Sequence, residues 1–202
     1  MLNRLVIGTA NWAREYNGHK VSEKEQQLIM EYMKEVGIYG IEVATSYGTL
    51  DIRNNFSRIV KIDAQEIPSW HDKYGDILIA HHANCYKSSV HKGASVHWDD
   101  KVNKKYKYVE LPYSVMDPYL GIWGLTNAKV IARSIFCKGK ALRYFSPQEC
   151  IDFVLMNPRM DKVVIGVDSA DQLRENVAHL VKMETFTHDE EVDTRKFERK
   201  DL

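Results

Sequence analysis

The chain has 202 residues, with 28 Lys plus Arg and 28 Asp plus Glu, so its formal net charge is zero. This balance excludes the basic surface that binds nucleic acid or an anionic membrane, and no apolar run approaches the roughly 18 residues of a membrane-spanning helix. Cys85, Cys137 and Cys150 form no CxxC spacing, and the first residues lack a signal-peptide pattern. We expect a cytoplasmic protein with reduced thiols, comprising one domain over 1–185 and a charged tail over 186–202.

Eight short apolar runs of strand length follow one another along the chain. Most are apolar on both faces, which is typical of strands that are covered on both sides. Most spacers between them are long enough for a crossover connection, so neighbouring runs are expected to pair in parallel. The runs are RLVIGT, YGIEVA, RIVKI, DILIAHH, GASVH, YVELPYSV, KVIARSIF and KVVIGV.

Three helices are each predicted by a capping serine. Ser22, Ser146 and Ser169 are each followed three residues later by Glu or Gln, the spacing of a capping box. Pro147 takes the first position of the second helix, where its missing N–H costs nothing. The apolar faces predicted for the first and third helices consist of Leu28, Ile29, Tyr32, Met33 and Val36, and of Leu173, Val177, Leu180 and Val181.

Eight parallel strands joined by crossovers predict an α/β fold, a (β/α)8 barrel of the TIM type. Such barrels typically have about 250 residues, and the shortage in this chain falls in the crossovers around the third to fifth strands. The sequence therefore predicts a trimmed barrel with reduced helices there, and an open doubly wound sheet is the alternative. Because reduced helices leave apolar strands uncovered, a second copy of the chain or another partner is expected against that flank.

Titratable side chains recur where successive predicted strands end. Glu42 ends the second strand and Tyr47 follows it, Lys61 ends the third strand, and His81 and His82 end the fourth. The carboxyl ends of parallel barrel strands form one face, and adjacent strands lie about 4.8 Å apart. We therefore expect these groups to form one unit. An adjacent ammonium favours the phenolate, so Lys61 is expected to lower the pKa of Tyr47 toward a value suited to general acid catalysis.

Adjacent residues of a strand point to opposite faces, so His81 and His82 are expected to diverge. One of the two histidines is then structural, and no shared metal site is predicted. Two plainer interpretations stay open. Tyr47 could be surface cover on a loop, and Lys61 could be a stem that lies along apolar surface with its ammonium in water.

Seven of these segments, in this order, resemble the aldo-keto reductase family. LVIGTANW is similar to that family's first strand, GIEVATSYG to its second-strand signature, and DILIAHHAN to its fourth strand, which ends in histidine. GASVH resembles the fifth strand, VELPYSVMDP the sixth, ARSIFCKG a variant seventh, and VVIGVDSADQLREN the last strand and helix. The resemblance covers about Leu5 to Leu180 and implies a shortened, divergent member of that family.

The resemblance implies hydride transfer from NADH or NADPH to a small aldehyde or ketone. The residues that match the family's catalytic positions are Tyr47 as proton donor, Lys61 to lower its pKa, Glu42 to anchor Lys61, and His81 to position the carbonyl. Trp12 and His82 are expected near the substrate. The implied cofactor-binding positions are Gly8, Thr9, Ser95, Glu110, Ser134, Phe136, Gly139, Gly166, Asp168, Ser169, Gln172 and Asn176.

The chain departs from the family pattern at three of these positions. Glu42 replaces an aspartate, and Glu110 replaces a glutamine, so that when ionised it can accept but not donate a hydrogen bond. Asp168 stands where Lys or Arg often meets the 2′-phosphate of NADPH, so no strong preference for NADPH is expected. Two other functions stay open: a catalytically impaired cofactor-sensing or protein-interaction module, and an aldolase-like barrel with Lys61 as Schiff-base nucleophile.

Overall fold

Eight parallel strands close into a barrel in the computed structural model of the chain, and their order in space is their order in sequence. Each strand pairs with the next, and the eighth pairs with the first. The structure describes residues 1–16, 18–47, 56–63, 76–97, 99–118 and 127–193, with side chains up to residue 183. The strands are β1 (Leu5–Gly8), β2 (Gly40–Ala44), β3 (Ser57–Ile62), β4 (Ile77–Ala80), β5 (Gly93–Ser95), β6 (Tyr108–Pro112), β7 (Lys129–Arg133) and β8 (Met160–Gly166).

The closed barrel confirms the predicted fold class and excludes the open doubly wound sheet. Among the described residues, three α-helices pack around it, which are α1 (Glu23–Glu35), α2 (Pro147–Leu155) and α3 (Ala170–Asp193). Within the parts of the chain that the structure describes, no α-helix lies between β2 and β7, so the predicted trimming is also confirmed. The association of a second copy or another partner with this flank stays a prediction. None of the described helices is long and apolar enough to cross a membrane.

The helices begin where the capping serines predicted. Ser146 and Glu149 form a complete capping box at the start of α2. Ser22 Oγ accepts a hydrogen bond from the Glu25 N–H at 3.2 Å, but the Glu25 carboxylate accepts instead from the N–H of Ala170 at 2.5 Å. Glu25 therefore links α1 to the first turn of α3, where a carboxylate interacts favourably with the helix dipole.

The predicted apolar faces pack toward the barrel with one exception. Ile29 and Met33 of α1 and Leu173 of α3 are fully buried. Val181, predicted on the packed face of α3, is 44 % exposed. α3 itself continues to Asp193, past the predicted domain boundary at residue 185.

The barrel interior changes from apolar to polar along the strands. A separate buried cluster inside the barrel consists of Val6, Ile59, Ile79, Ile131 and Val164. Because side chains of a strand alternate between its two faces, the residue two positions later faces the same interior, nearer the carboxyl end. Those next residues are Gly8, Lys61, His81, Arg133 and Gly166. The same strand alternation therefore places branched apolar residues in the barrel interior and polar side chains at the carboxyl end of that interior.

Gly93→Ala is expected to destabilise the barrel by more than about 3 kcal/mol, because it forces overpacking at a backbone contact. A Cβ at Gly93 would lie 1.8 Å from the carbonyl oxygen of Tyr108 on the neighbouring strand, which cannot rotate away. Chemical denaturation measures the change. Gly166→Ala is the matched control, since no described atom lies within 4 Å of its Cβ position, and its effect should not exceed about 1 kcal/mol. Equal stability of the two variants would contradict this account of the β5–β6 contact.

Candidate active site

A buried lysine joins two buried glutamates at the polar end of the barrel. Lys61 Nζ forms an ion pair with Glu42 and lies 3.5 Å from Glu110 Oε2. The side chains of all three residues are at most 5 % exposed. Arg133 Nε lies 3.6 Å from the same oxygen of Glu110. Two carboxylates and two cations therefore form a buried network that is balanced in charge, and the longer Glu42 does reach Lys61.

Burial and ion pairing shift the pKa values of these groups in opposite directions. Burial lowers the pKa of Lys61, but the carboxylates of Glu110 and Glu42 outweigh it and raise that pKa above its ordinary value. Burial raises the pKa of Glu42, with Lys61 opposing it. Burial also raises the pKa of Glu110, but Lys61 and Arg133 together outweigh it and hold this pKa below its ordinary value. Lys61 is therefore an ammonium without a nucleophilic lone pair, which argues against the Schiff-base alternative.

Tyr47 lies on the short 3-10 turn Thr45–Tyr47 that directly follows β2. Its side chain is buried, so the interpretation as surface cover is wrong. The hydroxyl donates to Glu42 Oε1 at 3.3 Å, and Lys61 Nζ lies 5.3 Å from the ring centroid. Burial and the Glu42 carboxylate raise the pKa of Tyr47, and Lys61 opposes them only in part. The predicted lowering of this pKa is therefore wrong for the free protein.

His81 follows β4 and meets Tyr47 at the edge of the network, with ring centroids 6.0 Å apart in an edge-on arrangement. Its Nδ1 lies 3.1 Å from the Asp63 carboxylate and 3.2 Å from Ser46 Oγ. Burial and the nearby Lys61 ammonium lower the pKa of His81, so the imidazole is neutral at physiological pH. The structure thus brings together all four residues that the sequence singled out as catalytic.

His82 does not diverge from His81, as the sequence analysis expected. Strand β4 ends at Ala80, and the His81 N–H still donates to the carbonyl of Ile62 on β3, so the strand alternation extends to His81 but no longer governs His82. The two imidazole rings stack, with centroids 4.9 Å apart and planes only 4° from parallel. His82 Nε2 also lies 4.0 Å from Asp63 Oδ1. Asp63 therefore faces both histidines, and the geometric reason for excluding a shared metal ion is wrong.

Ser95 and Glu110, two of the predicted cofactor-binding residues, lie in or beside the charge network of Glu42, Lys61, Glu110 and Arg133. Ser95 Oγ accepts a hydrogen bond from Arg133 Nε at 3.1 Å. Both oxygens of Glu110 are buried and accept no hydrogen bond of full geometry from the described residues, although the Lys61 and Arg133 cations and the Ser95 hydroxyl lie close enough to lower the Glu110 pKa. A carboxylate can accept from the NH2 of a carboxamide, and Arg133 can donate to the carboxamide oxygen. The chemistry of these residues therefore suits a nicotinamide carboxamide, but because Glu110 is fully buried, a neighbouring side chain has to move before a ligand reaches it.

The loop after β7 contains several residues with left-handed backbone. Ser134, Cys137 and Lys138 have φ of 56°, 49° and 56°, and Gly139 has φ of 81°. Left-handed conformations are uncommon outside glycine and often mark functional loops. Phe136 is partly buried and packs against the core, which anchors the loop. The predicted pyrophosphate-binding residues thus occupy one constrained loop.

The predicted adenosine end lies at the start of α3. Asp168 Oδ1 accepts a hydrogen bond from the Asn11 amide at 2.7 Å and lies 3.8 Å from His19 Nε2. Ser169 Oγ accepts from the N–H of Gln172 at 3.2 Å, as a helix cap does. Gln172 Oε1 accepts from the N–H of Asp168 at 2.8 Å, so the predicted capping box is not reciprocal.

The remaining predicted cofactor positions lie at the same end of the barrel. Gly8 ends β1, and Gly166 ends the neighbouring β8. Thr9 is fully buried, and its hydroxyl donates to the backbone carbonyl of Glu42 at 2.9 Å. Asn176 is buried on α3. Thr9 therefore fixes the end of β1 to the strand that carries Glu42.

The described side chains that touch the site without having been predicted include Arg133, Asp63 and Ser46. Arg133 lies two residues beyond the interior Ile131, so strand periodicity could have identified it. Asp63 and Ser46 lie beyond strand ends, where no periodic signal extends. Trp12, predicted near the substrate, is only 1 % exposed and belongs to the hydrophobic core. It therefore packs in the interior instead of lining an open pocket.

The fold is similar to two solved structures of proteins from Pseudomonas aeruginosa that are assigned to the aldo-keto reductases. Both match this chain with a TM-score of 0.61, at 12 % and 14 % sequence identity, over 87 % of this chain and 88 % of theirs. No protein-family model and no curated protein matches the chain. The chain therefore has an aldo-keto reductase-like barrel, and a likeness at this identity concerns the fold alone.

Proposed function

We propose that this chain is an oxidoreductase that reduces a small aldehyde or ketone with a nicotinamide cofactor. The observation that carries the proposal is the contact among Tyr47, Glu42, Lys61 and His81 at one end of an aldo-keto reductase-like barrel. A phenol, an ammonium and an imidazole in contact can supply a proton, stabilise charge and orient a carbonyl. The cytoplasm is the compartment that we propose with it.

Tyr47 is the proton donor in this mechanism. Its raised pKa keeps the phenol protonated at physiological pH, so the proton is present when a substrate binds. A bound reduced nicotinamide would supply the hydride to the carbonyl carbon. As the carbonyl oxygen gains negative charge, Tyr47 gives up its proton, and the Lys61 ammonium stabilises the remaining phenolate. Glu42 holds Lys61 in place, and His81 orients the substrate.

The cofactor would extend from the charge network to the start of α3. Ser95, Glu110 and Arg133 would bind the carboxamide, as the buried acceptor oxygens of Glu110 favour. The constrained loop over residues 134–139 would receive the pyrophosphate, and the first turn of α3 would receive the adenosine. Because the N–H groups of Ala170 and Gln172 already donate to Glu25 and Ser169, the adenosine would meet the side chains of this turn rather than these N–H groups.

Titration of the full chain with NADH and with NADPH, followed by cofactor fluorescence, tests the proposal. We expect saturable binding, and then cofactor oxidation with at least one member of a panel of small aldehydes and ketones. Failure of both cofactors to bind at millimolar concentration would overturn the proposal.

One observation favours a second function, that of a cofactor-sensing module without turnover. The Tyr47 hydroxyl donates to Glu42 rather than toward open space, and the side chain is only 8 % exposed. A phenol held in this way must exchange its acceptor for the substrate oxygen before it can donate to it. Cofactor binding without turnover on any carbonyl of the panel would support this alternative.

We predict that NADH binds at least as tightly as NADPH. The 2′-phosphate of NADPH would lie near Asp168, and like charges at about 4 Å repel by about 4 kcal/mol at an effective dielectric constant of 20. Exposure of the Asp168 side chain, which is 49 % exposed, reduces this repulsion to about 1 kcal/mol. Free ribose hydroxyls can instead donate to the carboxylate.

Asp168→Arg should shift the ratio of the two dissociation constants toward NADPH by about tenfold, which corresponds to 1.4 kcal/mol. Glu175→Arg is the matched control, since it makes the same change of charge at an exposed position of α3, the helix that follows Asp168. Tenfold tighter binding of NADPH than of NADH to the unaltered chain, or equal shifts in the two variants, would contradict the role of Asp168.

A further inference from the structure

We propose that Asp63, His81 and His82 form a binding site for a divalent transition-metal ion of the zinc class. One ligand atom from each residue lies within 4.8 Å of the other two. Asp63 directly follows β3, and the two histidines directly follow β4. These strands are neighbours in the barrel, so the parallel pairing of β3 with β4 brings the three side chains together.

The distances are close to those of a metal site. A tetrahedral zinc ion with bonds of about 2.0–2.1 Å holds its ligand atoms about 3.3 Å apart. His81 Nδ1 lies 3.1 Å from Asp63 Oδ1, and His82 Nε2 lies 4.0 Å from that same oxygen. Only His82 needs to move inward appreciably, and its side chain is 57 % exposed, which leaves it room to do so.

The donor set selects the class of ion. Two imidazole nitrogens and one carboxylate oxygen suit zinc and its neighbours, whereas magnesium and calcium prefer sites made of oxygen. Three protein ligands leave the fourth tetrahedral position open to water or another small ligand, as in zinc sites that carry reactivity. Ser46 Oγ, 3.2 Å from His81 Nδ1, can hydrogen-bond to such a ligand or to the carboxylate.

The parallel stack of the two rings has to open before both can bind one ion. His81 and His82 are adjacent in sequence, their rings are 4° from parallel, and both have a nitrogen near Asp63. The lone pair of an imidazole nitrogen lies in the plane of the ring, so two parallel rings cannot both direct it at one ion. The exposed His82 ring therefore has to rotate out of the stack, after which one cation can neutralise Asp63 and use both nitrogens.

A metal ion on His81 would also determine which ring nitrogen carries the proton. Without it, the Asp63 carboxylate favours the N–H on Nδ1, which leaves Nε2 as an acceptor. Metal ligation through Nδ1 places the N–H on Nε2, and only that tautomer can donate to a substrate carbonyl. This consequence rests on the proposed reductase function, whereas metal binding itself does not.

Calorimetric titration of the full chain with zinc chloride, without cofactor or substrate, tests the site. We expect one equivalent to bind, and cobalt(II) should give the visible absorption of a tetrahedral site. His82→Ala and Asp63→Ala should each weaken zinc binding by at least about tenfold. Both side chains are exposed by more than a third, so the variants should keep their fold, which circular dichroism checks. His97→Ala, which removes an exposed histidine outside the cluster, should leave affinity unchanged.

Two results would overturn the site. One is the absence of zinc binding at millimolar concentration. The other is binding that persists in His82→Ala and Asp63→Ala, together with a near-ultraviolet charge-transfer band of cobalt(II), which would assign the metal to cysteine thiolates. Because these measurements contain no nicotinamide, a protein that binds zinc but not NADH or NADPH would uphold the metal site and reject the reductase proposal.

Discussion

Tyr47→Phe is expected to reduce the rate of carbonyl reduction by about 10²–10⁴-fold, the usual contribution of a positioned general acid. Phenylalanine keeps the ring that contacts His81 edge-on and lies beside Lys61, and it removes only the hydroxyl. The fold and the affinity for cofactor should therefore be preserved. Steady-state kinetics gives the loss of kcat, and a fluorescence titration gives the affinity.

Tyr113→Phe is the matched control for this experiment. Tyr113 is another buried tyrosine, and its hydroxyl accepts a hydrogen bond from Asn157 at 2.9 Å, outside the charge network. Its removal should leave kcat unchanged. Retention of more than about a tenth of the wild-type rate by Tyr47→Phe would remove the tyrosine from the role of general acid.

Strand periodicity explains why much of this site could be predicted from sequence. Lys61 and His81 follow Ile59 and Ile79 at a spacing of two, so the apolar pattern that fixes the strand also fixes the direction of the polar residue. The parallel pairing then places successive strand ends side by side. The spacing of these residues is a local property, whereas the closure of the eight strands depends on their number, tilt and stagger.

Features beyond the strand ends could not be predicted in this way. His82 turns to stack on His81 because the strand has already ended, and the sequence alone does not show where alternation stops. The raised pKa of Tyr47 depends on its burial and on the distance of its hydroxyl from Glu42, which only the folded chain defines. Asp168 pairs with Asn11 from the opposite end of the sequence, a long-range contact that no motif indicates.

Lys61→Met should destabilise the folded protein by about 3–5 kcal/mol at neutral pH, because it removes one partner of a buried ion network. Methionine has a similar length and fills the space, so the loss reports charge rather than packing. Glu42 and Glu110 would then remain buried as neighbouring carboxylates, and of the two cations in the described network Arg133 alone would be left, beside Glu110. Chemical denaturation of the two proteins measures the difference in the free energy of unfolding.

The destabilisation should grow as the pH rises. Burial already raises the pKa of Glu42 while Lys61 is present, and loss of the ammonium raises it further. A carboxyl group whose pKa is higher in the folded than in the unfolded state binds more protons when folded, so its folded form loses stability as the pH rises through the folded-state pKa. The loss in the free energy of unfolding caused by Lys61→Met should therefore be larger at about pH 8 than at about pH 5.

A second substitution separates this explanation from a general loss of packing. Glu42→Gln in the Lys61→Met background removes one buried negative charge while keeping the shape of the side chain. The double variant should regain part of the lost stability and lose most of the pH dependence, because the remaining carboxylate, Glu110, lies 3.6 Å from Arg133 Nε and the two balance each other. A loss of stability below about 1 kcal/mol, or one that neither pH nor Glu42→Gln alters, would mean that Lys61 does not hold the two glutamates together. The site would then lack the charge balance on which proton donation by Tyr47 depends.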